Sequence, residues 1–201
     1  MYAIDLMVKE HSDIQKMIGG MHKLCCRILE NDADVCDEKA VLSAETIQHF
    51  YNFIDFTRNY ADHHHHGKEE KILFPVMTAN LGTMAENLVT HGMLVEHDLG
   101  RSHIRALETL LKLYQENPKT EHKLSIITEA MGYSNLLLLH TEKENSVVYT
   151  FAERMLSQEL KDKIDSDCRS FEEEQAKLGV QEKYLKMMDD FTASTSDSIS
   201  A

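Results

Sequence analysis

The reading of the fold turns on residues 61–75, ADHHHHGKEEKILFP. Four consecutive histidines sit between two apolar stretches, and Glu69 and Glu70 follow four residues after His65 and His66. On a helical wheel of about 100° per residue centred on His65, Ile47, Tyr51, Ile54, Arg58, Ala61, Glu69, Ile72 and Val76 fall within about 40°. Apart from Arg58, this is an apolar stripe carrying one His and one Glu. The same exercise for His66 collects Gln48, Asn52, Asp55, Asn59, Asp62 and Glu70, the composition of a solvent face. Helix phase therefore places His65 and Glu69 inward, His66 and Glu70 toward water, and His63 and His64 on the flanks. An ionised Glu buried beside a His is costly without a partner. A divalent metal reached by imidazole and carboxylate one turn apart is one such partner. A His–Glu hydrogen bond within the helix is the plainer alternative.

Working outward, the same spacing recurs in LLLLHTEKENSVV, residues 136–148, where His140 and Glu144 share a face with Tyr133, Leu136, Leu137, Val147 and Phe151. His11 lies on an apolar stripe between Ile4 and Ile18, and His97 lies near Met93, Leu94 and Ile104. Helical periodicity covers about residues 3–30, 38–79, 84–116 and 119–156. The breaks are NDADVCDEK, Asn80–Gly82 and Asn117–Pro118, with an irregular turn expected around Gly92. Four long amphipathic helices with short connections predict an all-α, up-down-up-down four-helix bundle over residues 1–156. A charged helical extension, interrupted at Gly179, is expected over 157–191, and TASTSDSISA, 192–201, has the composition of a disordered tail. In an antiparallel bundle, His11, His65, His97 and His140 fall at one level. Four histidines and two glutamates then converge at one end, enough for two metal ions bridged by carboxylates.

Composition agrees. Only two prolines and eight glycines interrupt the chain, which favours long helices, and 42% hydrophobic residues suffice for a core. A formal charge of −13 argues against nucleic acid and anionic membrane surfaces as partners. Cys25, Cys26, Cys36 and Cys168 form no CxxC pair and read as reduced thiols of a cytoplasmic protein. The first residues carry acids within their apolar stretch, unlike a signal peptide, and no apolar run approaches the roughly 18 residues of a membrane span.

H65-x-x-x-E-E-x-x-L-F-P, with H-x-x-x-E at 140–144, EHD at 96–98 and EH at 10–11, resembles the hemerythrin-like HHE cation-binding family over about residues 1–156. The resemblance implies a four-helix bundle holding a non-haem di-iron centre, two Fe ions with an oxo or hydroxo bridge. Its ligands would be His11, His65, Glu69, His97, His140 and Glu144, the two glutamates bridging. Hemerythrins proper carry HxxxH on the third helix, where this chain has Met93 four residues before His97. They usually carry Asp five residues after the last His, where this chain has Glu144 at four. Four histidines rather than five is similar to the di-iron proteins that repair iron–sulfur clusters in response to nitric oxide. Those place a Cys-Cys segment before the bundle, whereas Cys25-Cys26 here lies within the first helix. His91 is the nearest spare histidine for a fifth ligand.

The expected function is binding or sensing of O2, NO or a related small oxidant. The alternatives are an enzyme reducing NO or peroxide, and an iron-homeostasis or cluster-repair protein. The same ligands could also hold Mn or Zn. The Glu-x-x-His pattern of ferritin-like bundles is absent. His22 lies about 16 Å along the axis from His11, too far to share its site, and reads as a core or rim residue or part of a second site with Cys25 or Cys26. Tyr133 is expected either in the core or beside a metal-bound ligand, and Arg58 paired with an inward acid such as Glu108. The extension is expected to serve as a packing helix, a homodimer contact or a partner site.

Overall fold

The computed structural model describes residues 1–33 and 41–196. Among these residues there are six long helices and no strand. Helix α1 is Tyr2–Ala33, α-helical throughout. Helix α2 spans 44–80 and changes character along its length. An α segment, Ala44–Phe56, leads into π segments Thr57–His66 and Glu69–Leu73, and an α segment, Phe74–Asn80, ends it. Helix α3 spans 82–116, with a π turn at Val89–Met93 where the sequence suggests irregularity around Gly92. Helix α4 spans 120–155, with a π turn at Glu144–Val148. Helices α5 (Gln158–Lys177) and α6 (Val180–Ser196) form the extension. No described helix is long and apolar enough to cross a membrane.

Helix boundaries follow local chemistry. Ser43, in extended backbone, accepts the Thr46 N–H at 3.0 Å and starts α2, so the second helix begins at Ala44 rather than near residue 38. Gly82 and Gly179 adopt positive φ (67° and 71°), which lets the chain reverse before α3 and between α5 and α6. Helix α1 runs through Ala33; the rest of the expected turn, with Cys36, lies outside the described residues. Cys25, Cys26 and Cys168 are free thiols. The tail expected from residue 192 is helical as far as Ser196. Thr195 is buried against the bundle and Arg27 donates to the Ser194 carbonyl at 3.3 Å; residues 197–201 lie outside the described residues.

The core is divided. One apolar cluster gathers Ile14, Met17, Phe50, Phe53, Phe56, Leu107, Leu111, Ile126 and Tyr133. A second gathers Met7, Leu73, Phe74, Met77, Met93, Val148, Tyr149 and Phe151, with Ile164 and Cys168 of α5. On every bundle helix the gap between the clusters falls at the histidines: His11 on α1, His65 and His66 on α2, His97 on α3, His140 on α4. The histidine layer is therefore a polar stratum between two apolar blocks, rather than at one end of the bundle as expected from topology. The extension packs on this chain's own bundle, with Tyr184, Met188 and Phe191 of α6 in the first cluster.

Candidate metal centre

His11, His65, Glu69, His97, His140 and Glu144 are all buried and all meet in this layer. A seventh residue joins them. His66 is buried, stacks on His97 with ring centroids 3.7 Å apart, and lies among Glu69, His97 and His140. This corrects the solvent-facing assignment of His66. A π turn closes i→i+5 rather than i→i+4, so each turn holds more residues and the α wheel loses phase across Thr57–His66. Glu70 is likewise only half-exposed and hydrogen-bonds the His97 ring. His64 is buried because α5 covers that side of α2, as a four-helix scheme could not foresee. His91 and His22 are exposed and do not join the layer; His22 lies 3.7 Å from Cys26. Five inward histidines replace the count of four on which the likeness to cluster-repair proteins rested.

The donors fall into two overlapping groups. His11, His65, Glu69 and Glu144 form one, and His66, Glu69, His97 and His140 the other, with ligand atoms within 4.8 Å of one another in each. Glu144 Oε2 lies 3.2 Å from both His11 Nε2 and His140 Nε2, and its Oε1 lies 3.9 Å from His97 Nε2. Glu69 Oε2 lies 3.8 Å from His65 Nε2 and 3.5 Å from His97 Nε2. Each carboxylate thus reaches histidines of both groups.

The outer ring of partners explains why the imidazoles point as they do. Each of the five histidines places Nδ1 against an oxygen acceptor. His11 meets Asn145 Oδ1 at 2.8 Å, His65 meets Glu10 at 2.8 Å, and His66 meets Asp62 at 3.2 Å. His97 meets Glu70 at 2.7 Å and His140 meets Glu96 at 2.9 Å. With the ring proton donated from Nδ1, every Nε2 presents a lone pair to the interior. His11 Nε2 and His65 Nε2 then face each other at 2.8 Å, and His97 Nε2 and His140 Nε2 at 3.1 Å. His66 Nε2, Glu69 Oε2 and both Glu144 oxygens are buried without an aligned hydrogen bond. Converging lone pairs and carboxylate oxygens repel one another unless a cation lies among them. The layer fits divalent metal with a mixed imidazole and carboxylate donor set.

Charge in the layer without metal is correspondingly strained. Burial and the neighbouring Glu144 push Glu69 well above the carboxylate range, while Tyr149 donates to Glu69 Oε1 at 2.6 Å. Burial alone would raise Glu144 as well, but His140, His11 and His97 hold it well below its ordinary value. Burial, with His11 alongside, lowers His65 to about 4.

A cavity of about 380 Å³ opens beside the second group. His66 and His97 form its inner wall, with Tyr133, Ile104, Gly100, Thr57 and the side chains of Asp62 and Arg101 around them. Arg101 binds Asp62 at 2.6 Å and Glu70 at 2.7 Å, so one guanidinium ties together the acceptors of His66 and His97. Tyr133 is buried, edge-on to Phe53, as well as lining this cavity. Arg58 pairs with Glu108 at 2.5 Å as the sequence suggests, although Arg58 is exposed.

Fold and site together define an all-helical bundle with a buried layer of convergent imidazoles and carboxylates suited to a cation. The chain matches the hemerythrin HHE cation-binding domain over residues 2–152 and belongs to that family. Membership and the donor set together support non-haem iron binding. No curated protein matches the chain. Helices α5 and α6 lie wholly beyond the matched span.

Proposed function

We propose that this chain holds two iron ions in the histidine layer and binds a small oxidant, O2 or NO, from the cavity beside His66 and His97. The observation that carries the reading is the five-fold repetition of one arrangement: Nδ1 tied to an oxygen acceptor and Nε2 aimed inward at unpartnered carboxylate oxygens. His11 and His65 would hold one ion, His66, His97 and His140 the other, and Glu69 and Glu144, each within reach of histidines of both groups, would serve the two. Iron held in this way would supply one-electron chemistry at the position where the cavity admits a diatomic molecule.

The protein's own part is to set and protect that position. Asn145, Glu10, Asp62, Glu70 and Glu96 fix each ring's tautomer and orientation. The apolar clusters above and below keep the layer dry, and Tyr133 and Ile104 give the cavity apolar walls. A second reading, turnover of peroxide or NO, draws on cavity size: about 380 Å³ exceeds the room one diatomic molecule needs.

The test is metal analysis and optical spectroscopy on protein purified anaerobically without a tag, before and after air or NO. Two irons per chain, with a near-ultraviolet charge-transfer band appearing on exposure, are expected. A lasting adduct marks a carrier or sensor, and repeated decay with added reductant marks an enzyme. No metal, or one zinc with no spectral change, overturns the reading.

A further inference from the structure

A third polar cluster lies outside the donor layer. Lys68 is fully buried, and its ammonium group donates to three acceptors: a Glu10 carboxylate oxygen, Glu172 Oε1 at 2.5 Å, and His64 Nε2 at 3.1 Å. Glu10, His64 and Glu172 would resemble a cation site, but the Lys68 ammonium stands at its centre. All three ammonium protons are used. The other Glu10 oxygen accepts from His65 Nδ1. An unbroken chain of charged hydrogen bonds therefore runs from Glu172 through Lys68 and Glu10 to a histidine of the donor layer.

Glu172 belongs to α5, beyond the family match. It is held firmly. Gln181 of α6 donates to its Oε2 at 3.0 Å, and Phe171 next to it stands 5.6 Å from the Lys68 ammonium. Two turns earlier on α5, Asp165 accepts the first backbone N–H groups of α1, Tyr2 at 3.1 Å and Ala3 at 2.9 Å. The same helix thus anchors the start of the helix that carries Glu10 and His11.

We propose that Glu172 is a positioning residue for the metal centre, through which the C-terminal extension sets the donor strength of His65. This rests on the di-iron reading above. Lys68 shared between two carboxylates draws less charge from Glu10 than Lys68 bonded to Glu10 alone. Glu10 then pulls harder on the His65 Nδ1–H, which makes Nε2 the better donor to a metal. The two links act with opposite sign: Glu172 strengthens His65, and Lys68 weakens it.

The experiment compares wild type, Glu172→Gln, Glu172→Asp and Lys68→Met in the full chain, by anaerobic iron titration and by optical redox titration of the loaded protein. Glu172→Gln is expected to bind one of its two irons about tenfold more weakly, the low end of the range for outer-ring partners. Its reduction potential is expected to rise. Glu172→Asp should restore part of both effects, and Lys68→Met should move the potential downward. Unchanged affinity and potential in Glu172→Gln would overturn the inference. So would shifts of the same sign in Glu172→Gln and Lys68→Met, because a merely structural contact moves both variants alike. A wild-type chain that takes up no iron pair instead fails the di-iron reading, before any variant is compared.

Discussion

The two donor groups share Glu69 yet differ in what surrounds them. The group of His11 and His65 faces inward on all sides: Tyr149 stacks on His11 at 5.6 Å, and Glu10 and Lys68 stand behind His65. In the other group, His66 and His97 form part of a cavity wall and Arg101 braces their acceptors, with His140 behind them. Nearly the same chemistry is thus set once in an enclosed place and once in an open one. Under the proposed di-iron reading, the enclosed group would keep its ion and the open one would exchange a small ligand.

The largest expected effect separates the groups through adjacent residues. His65→Ala and His66→Ala should each leave one tightly held iron per chain. The NO adduct, followed optically, should survive in His65→Ala and vanish in His66→Ala. Loss of the adduct in both variants would show that the groups do not act separately.

Acid sharpens the comparison in the metal-free protein. His65 titrates at about 4 in the folded chain against 6.5 for an ordinary histidine, because burial and His11 disfavour its charge. The unfolded chain therefore takes up this proton first. The stability His65 contributes is complete above about pH 6.5 and is lost as pH falls toward 4, about 3 kcal/mol if the shift is fully expressed. His97 and His140 are shifted the other way: burial opposes their charge, but Glu144, and Glu70 for His97, outweigh it. Imidazole resonances of metal-free protein should give a midpoint below 6.5 for His65 and above 6.5 for His140. Denaturant unfolding at pH 6.5 and pH 4 should show less acid loss in His65→Phe than in wild type.

The smallest expected effect concerns the carboxylate common to both groups. Tyr149→Phe removes the donor to Glu69 Oε1 and should cost the metal-free protein about 1 kcal/mol in denaturant unfolding, with iron content unchanged.

Much of this was legible in the sequence, and the failures have two kinds of cause, a change of helical pitch and a contact far apart in the chain. Helix α1 is α throughout, and the wheel places His11 correctly. The i, i+4 pairs His65–Glu69 and His140–Glu144 were legible because each interrupts an apolar stripe. His66 was missed because a wheel of constant pitch cannot follow a helix that becomes π over ten residues. The signal available was the run of four histidines itself, more polar side chains than an α face can present inward. Tyr149 was missed because it lies on a π-shifted stretch of α4, where Tyr133 drew attention by simple spacing. His64, Lys68 and Glu172 depend on α5 docking beside α2. Contact across 104 residues leaves no periodic trace in either segment.

The Asp165 clasp on Tyr2 has a consequence for the chain as it is made. The first helix leaves the ribosome with its opening N–H groups unmet, and their acceptor is encoded 163 residues later. Lys68, which holds Glu10, likewise waits for Glu172, 104 residues further on. The outer support of a layer whose donors run from His11 to Glu144 is thus encoded after the last of those donors, so the layer can gather before its support on α5 docks.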